Sequence, residues 1–381
     1  MPTRLAAQKA LQRLWNINPD LSEDDEIGID HDGEPLMVAS DIAQVESDSQ
    51  SDSDDSDVNE DQVLEMVGKD QTIWKNVNNN SQLRGRMPSD NVFIVTPGVK
   101  PSAKRLIDSP ESAWRLLITE NIMKRIKKYT TDNVRVLNPN WSTSIQEIDS
   151  LIGIFYLRGI LGLRRAPVET IWSNEFGCPY IRTKMSRDRF RQFLQFIRFD
   201  DQSSRAQRVQ YDKFSAIREI YELFVDNCLR VYVPYPYLTI DEQLLPLKNR
   251  CCFIQFMPNK PDKFGIKFWV CCDVKTKFCV NQFPYLGSFD KEERGEERLG
   301  EYVVNKLMKP FANKGYNVCT DNFFTGLSLA RSLLEKRTTL VGTVRLNSKF
   351  LSPAHLQKKP LHDSEHFETD NGKVLTVFLS R

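Results

Sequence analysis

Two short stretches carry residues able to do chemistry. Tyr237-Leu-Thr-Ile-Asp-Glu-Gln243 reads as a buried strand that ends by presenting a carboxylate, Asp241. Eighty positions on, Tyr316-Asn-Val-Cys-Thr-Asp321 repeats the device, followed by Asn322-Phe-Phe-Thr325. A strand that stops on aspartate holds a hard oxygen ligand at a fixed edge. That suits a divalent cation such as Mg2+ set against a phosphodiester. Each aspartate also has a plainer reading, Asp241 as a loop-capping carboxylate and Asp321 as a helix cap ahead of Asn322. Other chemistry is not written in the chain. It has no phosphate loop ending Gly-Lys-Ser/Thr, no Gly-x-Ser-x-Gly elbow and no His-Glu-x-x-His. Only four histidines occur, three of them after residue 354.

The near-neutral balance of +1 conceals an asymmetry. Residues 1–65 hold 18 acids against Arg4, Lys9 and Arg13, a balance of −15, which leaves +16 on the remainder. An acidic leader on a basic body suits a protein that meets nucleic acid, and equally a solubilising tail beside an ordinary surface. Glu46-Ser-Asp-Ser-Gln-Ser-Asp-Ser-Asp-Asp-Ser-Asp57 cannot bury enough apolar surface to offset the entropy of ordering, so residues 18–90 are expected to be largely disordered. No run is long and apolar enough to span a bilayer. The eight cysteines form no C-x-x-C pair, which argues against a zinc site and for reduced, mostly buried thiols.

The elements that must position the two aspartates come in a definite order. Helices are expected from Ser109 to about Lys128, Ser144–Leu161, Ser186–Phe199 and Asp212–Arg230. The third carries an apolar side of Phe190, Phe193, Leu194 and Ile197, beside a stripe of Arg187, Arg191 and Arg198 that could meet a DNA backbone or solvent. Beyond Tyr237 the period changes to strand, strand, strand, helix, strand, helix, strand. This matches the core of the ribonuclease H-like fold, whose first and fourth strands run side by side and parallel. Asp241 and Asp321 then share one sheet edge, whereas alternation turns Glu242 to the other face.

The motifs Thr239-Ile-Asp-Glu-Gln243, Met257-Pro-Asn-Lys-Pro261 with Lys263-Phe-Gly-Ile-Lys267, Thr320-Asp-Asn-Phe-Phe-Thr325 and Gly342-Thr-Val-Arg345 closely resemble the piggyBac transposases and their domesticated descendants. The similarity runs in order from about Asp90 to Asn347. It implies a nuclear cut-and-paste DNA transposase in which aspartates bind two Mg2+ ions. Water attacks a phosphodiester at the element end, and the freed 3′-OH closes a hairpin or joins target DNA at TTAA. Asp241 and Asp321 match the family's first two catalytic, metal-binding aspartates, and Lys260, Lys263 and Lys267 match a segment near the DNA path. The implied partner is double-stranded DNA, with a homodimer left open and no membrane.

The resulting division is an acidic leader (1–90), a helical DNA-binding or dimerisation domain (91–233), an incomplete ribonuclease H-like α/β core with a mixed sheet (234–347) and the start of an insertion (348–381). In the family the third aspartate follows that insertion, so the chain reads as truncated before it, and strand cleavage by this chain alone is expected to be poor or absent. A catalytically inactive, domesticated DNA- or chromatin-binding protein and a non-functional fragment are the alternatives. A phosphate-driven footprint predicts that log affinity for duplex DNA falls steeply and linearly with log salt in a fluorescence titration; a flat profile would leave the basic body without a role.

Overall fold

The computed structural model describes residues 65–76, 92–258, 260–287, 294–356, 364–369 and 374–378. These residues fall into two compact units, the first taking Val95–Glu296 and the second the described residues of Glu26–Ile94 and Glu297–Arg381.

In chain order, the structure opens with β1 (Glu65–Val67) and β2 (Ile73–Asn76), which belong to the second unit, and continues with β3 (Gly98–Val99) in the first. Four helices then build the first unit's apolar core: α1 (Glu120–Arg135), α2 (Ile145–Ile160), α3 (Arg187–Phe196) and α4 (Arg218–Val231), with short helical turns between them. Ile122, Met123 and Ile126 of α1 meet Ile148 and Leu151 of α2 and Phe190 and Phe193 of α3, all buried. Ser144 and Ser186 start α2 and α3 by accepting the backbone N–H groups of Glu147 and Arg189.

Three helix boundaries differ from the sequence reading, each because a specific hydrogen bond intervenes. The first expected helix is broken into Pro110–Arg115 and α1, because Thr119 is extended and the amide of Asn227 donates to the Leu117 carbonyl at the break (2.8 Å). The third stops at Phe196 rather than Phe199. Ile197 turns extended, and the Arg198 backbone instead exchanges hydrogen bonds with the Thr130 hydroxyl (3.1 and 3.3 Å). The fourth begins at Arg218, since the Asp212 carboxylate accepts the Phe214 N–H (2.9 Å) and holds residues 212–217 in turns.

After β4 (Tyr232–Val233), which pairs β3, come β5 (Tyr237–Pro246), β6 (Gln255–Phe256), β7 (Phe264–Asp273) and β8 (Cys279–Pro284). All of the latter pair antiparallel around β7. Phe214, Tyr221, Phe253 and Phe268 close a second apolar cluster against this sheet.

The second unit holds α5 (Leu299–Met308), β9 (Asn317–Thr320), α6 (Leu327–Glu335) and β10 (Thr339–Gly342). β9 and β10 are parallel with α6 as their crossover, the connection a parallel pair requires. β11 (Ser364–Glu368) and β12 (Val374–Phe378) follow. They complete a four-stranded antiparallel sheet in the order β1-β2-β11-β12. Residues 65–76 were expected to belong to a disordered leader; they form a hairpin instead, and the rest of that leader lies outside the described residues. The reason is Trp74, which is 1% exposed and donates its indole N–H to the Phe350 carbonyl (2.7 Å).

Trp74→Ala should therefore cost about 3–5 kcal/mol, read as a lower urea midpoint. An unchanged midpoint would mean that the hairpin is dispensable.

Candidate active site

Asp241 lies mid-way along β5, past the buried pair Leu238 and Ile240, with its side chain exposed. The register sets it opposite Val270 of β7 and sets Glu242 opposite the buried Trp269. Its Oδ1 accepts the Glu242 N–H at 2.8 Å. Partial burial chiefly raises the Asp241 carboxyl above its ordinary value, and the Glu242 carboxylate adds to the rise. Strict alternation had placed Glu242 out of reach; the two carboxylates instead stand close enough to repel. Glu242 meets Lys260 Nζ at 3.2 Å, and that cation partly offsets the rise.

Asp321 follows the last residue of β9 and is exposed. It does not cap α6, whose N-cap is Gly326. Its Oδ1 accepts the Phe323 N–H (3.0 Å), while its carbonyl accepts Thr325 through both N–H (3.1 Å) and hydroxyl (2.6 Å). The Thr325 hydroxyl also bonds that of Thr320 (2.8 Å). Two glycines allow this turn to be so tight. A Cβ on Gly342 would stand 2.6 Å from the Thr320 carbonyl and 2.2 Å from the Thr325 hydroxyl, and one on Gly300 would stand 2.8 Å from the Phe323 carbonyl. Sequence reading named Gly342 within a motif but not its role, and it missed Gly300.

The basic residues divide by their partners. Lys260 is paired with Glu242, and the Met257–Lys260 turn that holds it is tied by the Met257 N–H to the Lys263 carbonyl (2.8 Å). Lys263 is exposed, and Lys267 lies over the Trp269 ring at 3.9 Å. Arg187 and Arg191 are exposed on α3, where Arg187 meets Asp188 (3.3 Å) and Arg191 meets Glu169. Arg198 has left the helix and with it the stripe; its guanidinium bonds Gln202 (2.7 Å) and the Gln195 and Ile197 carbonyls. Among the described residues, no group of three or more His, Cys, Asp or Glu side chains is gathered as a metal site.

A family model described as "Transposase IS4" matches residues 109–379. The chain belongs to that transposase family, and within it to the piggyBac-type transposases. It is 24% identical over 256 residues to human PiggyBac transposable element-derived protein 3, covering 66% of this chain and 41% of that protein. It is 24% identical over 243 residues to human PiggyBac transposable element-derived protein 2, covering 62% and 40%. Among solved structures it resembles a chain of the cryo-EM piggyBac transposase synaptic complex with hairpin DNA, with TM-score 0.67 and 30% identity over 74% of this chain and 63% of that one. The fold is thus the expected mixed α/β, ribonuclease H-like class with helices ahead of it. The chain spans about two-fifths of the length of these two human relatives.

Two outcomes follow. Gly342→Ala should lower thermal stability and broaden the amide signals of residues 320–325 in NMR spectra, where Gly98→Ala, with no atom within 4 Å of its added Cβ, probes backbone strain alone. A carboxyl raised in the folded state favours unfolding as pH climbs from its ordinary value through the raised one, since the unfolded chain loses that proton first. Asp241→Asn should accordingly match or exceed wild-type stability at pH 7 and flatten that part of the profile; a large loss would show that Asp241 holds the fold together.

Proposed function

We propose that this chain binds double-stranded DNA in the nucleus and that Asp241 and Asp321 are its metal-binding catalytic carboxylates, inherited from cut-and-paste transposition at TTAA. The observation that carries the reading is common to both residues. Each is an exposed aspartate set by a strand, with one carboxylate oxygen oriented by a backbone N–H. The ribonuclease H-like fold class supports the rest, because the first and fourth strands of that fold run side by side and parallel.

The donor set fits Mg2+, which takes one or two protein carboxylates and completes its shell with water and phosphate oxygens. Bound there, Mg2+ would polarise the phosphodiester and stabilise charge on the attacking and leaving oxygens. The chain's own contribution is positional. The Glu242 N–H and the Phe323 N–H fix the two carboxylates, and Lys260 keeps Glu242 occupied. Burial, and after it the Glu242 charge, disfavour the ionised Asp241; an arriving cation favours that ionised form, so cation binding should release a proton near the raised value.

Lys263, Arg187 and Arg191, exposed on the first unit, are the candidate phosphate contacts. Arg187 and Arg191 would exchange exposed acids, while Lys260, Lys267 and Arg198, less exposed, would exchange their own partners. A homodimer belongs to the same reading, supported by Phe155, Tyr156 and Ile160, which α2 leaves exposed, and sedimentation velocity tests it.

Calorimetric titration with Mg2+ tests the core of the proposal. Asp241→Asn and Asp321→Asn should each weaken cation affinity about tenfold or more while leaving the salt slope for duplex DNA unchanged. Equal cation binding by both variants and the unaltered chain would remove the metal-site reading; loss of DNA binding in both would mean that they misfold.

A further inference from the structure

Eight thiols are reduced in this structure, and two of them are set for more than packing. Cys272 near the end of β7 and Cys279 at the start of β8 are direct cross-strand partners, on the turn side of a register shift that falls between Cys271 and Cys272. The hairpin between them is closed at Asp273, whose N–H donates to the Phe278 carbonyl (3.0 Å) and whose carbonyl accepts the Lys277 N–H (2.8 Å). Lys277 takes the left-handed conformation at φ 63° that this tight closure needs. Because antiparallel pairs alternate, the next pair inward from a hydrogen-bonded closure is a non-hydrogen-bonded one. There the Cα atoms approach to about 4.5 Å, inside the range of about 4.4–6.8 Å that a disulfide spans. Both side chains are half-buried, whereas the neighbouring Cys271 is fully buried.

The same pair lies on the face that carries Asp241. Asp241 is opposite Val270, and Cys272, two residues beyond, points to the same side of β7. We propose that Cys272 and Cys279 are a reversible redox-modification site, forming a cross-strand disulfide with a small-molecule disulfide such as oxidised glutathione as the oxidant. The Cys272 thiolate attacks one sulfur of that disulfide, breaking its S–S bond and expelling one thiolate. Cys279 then gives up its proton and attacks the Cys272 sulfur, expelling the second. Two protein thiols are oxidised, one small disulfide is reduced to two thiols, and the two protein protons balance those thiols.

The order of attack follows from the Cys279 thiol, which donates to the Asn281 carbonyl (3.6 Å) and so keeps its proton, leaving Cys272 as the first nucleophile. The disulfide closes a loop of only eight residues, so it removes less entropy from the unfolded chain than a longer loop would. It is therefore suited to form and break, and when formed it ties β7 to β8 on the Asp241 face.

The test uses the full chain in glutathione buffers of graded ratio, with free thiols alkylated before proteolysis. Trypsin cuts at Lys275 and Lys277, between the two cysteines, so the bond appears as two linked peptides lacking both alkyl groups. The linked species should rise with the oxidised fraction and vanish on return to reducing buffer, with Cys271 inert throughout. In Cys279→Ser, checked for folding by circular dichroism, Cys272 should stop at a glutathione adduct. Alkylation of both thiols at every ratio, pairing with another cysteine, or an adduct on Cys272 that never resolves in the unaltered chain would overturn the proposal.

Discussion

The antiparallel register between β5 and β7 is the constraint on which the rest depends. It runs unbroken from Leu238 opposite Asp273 to Pro246 opposite Gly265. A slip of one residue would turn Asp241 inward and carry Leu238 and Ile240 out to solvent. Both ends are pinned by chemistry rather than by apolar area. At one end the buried Asp273 carboxylate accepts the Tyr232 hydroxyl (2.7 Å) and the backbone N–H groups of Tyr235 and Lys275 (3.0 and 2.8 Å), so the charge is held by donors that exist only in this register. At the other, Gly265 lets the Leu245 carbonyl come within 2.2 Å of where a Cβ would sit. A larger residue there would push the strands apart.

The acidic residues show how burial and partners sort structural charges from chemical ones. Asp200, 3% exposed, is clamped by Arg205 and Arg208, and Asp273 is saturated with donors. Hydrogen bonds hold Asp273 below the usual carboxylate range despite its burial. Asp241 is the opposite case: burial and a like-charged neighbour push it up. Its ionised form is disfavoured where that of Asp273 is favoured, so packing and hydrogen bonding account for Asp273 and Asp200 but not for Asp241.

What was legible in the sequence was whatever alternates or repeats. The strands ending near Asp273 and Thr320, the helix Ile145–Ile160 and the crossover helix Leu327–Glu335 all lie close to where apolar periodicity puts them. The misses have long-range causes. Nothing near Leu117 announces that Asn227, 110 positions away, will satisfy its carbonyl and end a helix. Nothing near Trp74 announces Phe350, 276 positions away. The composition of the leader gave no sign of the hairpin at residues 65–76, because a single tryptophan with a remote acceptor suffices to recruit it. At the candidate site, residue types were readable and their supports were not, because the tightness that demands Gly300 and Gly342 exists only once the Asp321 turn is folded.

The positive balance of the body also reads differently once partners are known. Many of its arginines are spent on holding the helices: Arg115 on Asp149, Arg189 on both Glu147 oxygens (2.5 and 2.7 Å), Arg205 and Arg208 on Asp200, Arg218 on Asp212. The planar guanidinium fork suits that work, since it satisfies a carboxylate bidentately with little further loss of freedom. A count of cations from the sequence therefore overstates the charge available to a polyanion. Release of counterions from a duplex follows the phosphates neutralised, not the formal balance, so the electrostatic footprint of this chain should be set by exposed residues such as Lys263 and by those arginines whose existing acids are themselves exposed and weakly held, Arg187 and Arg191 among them.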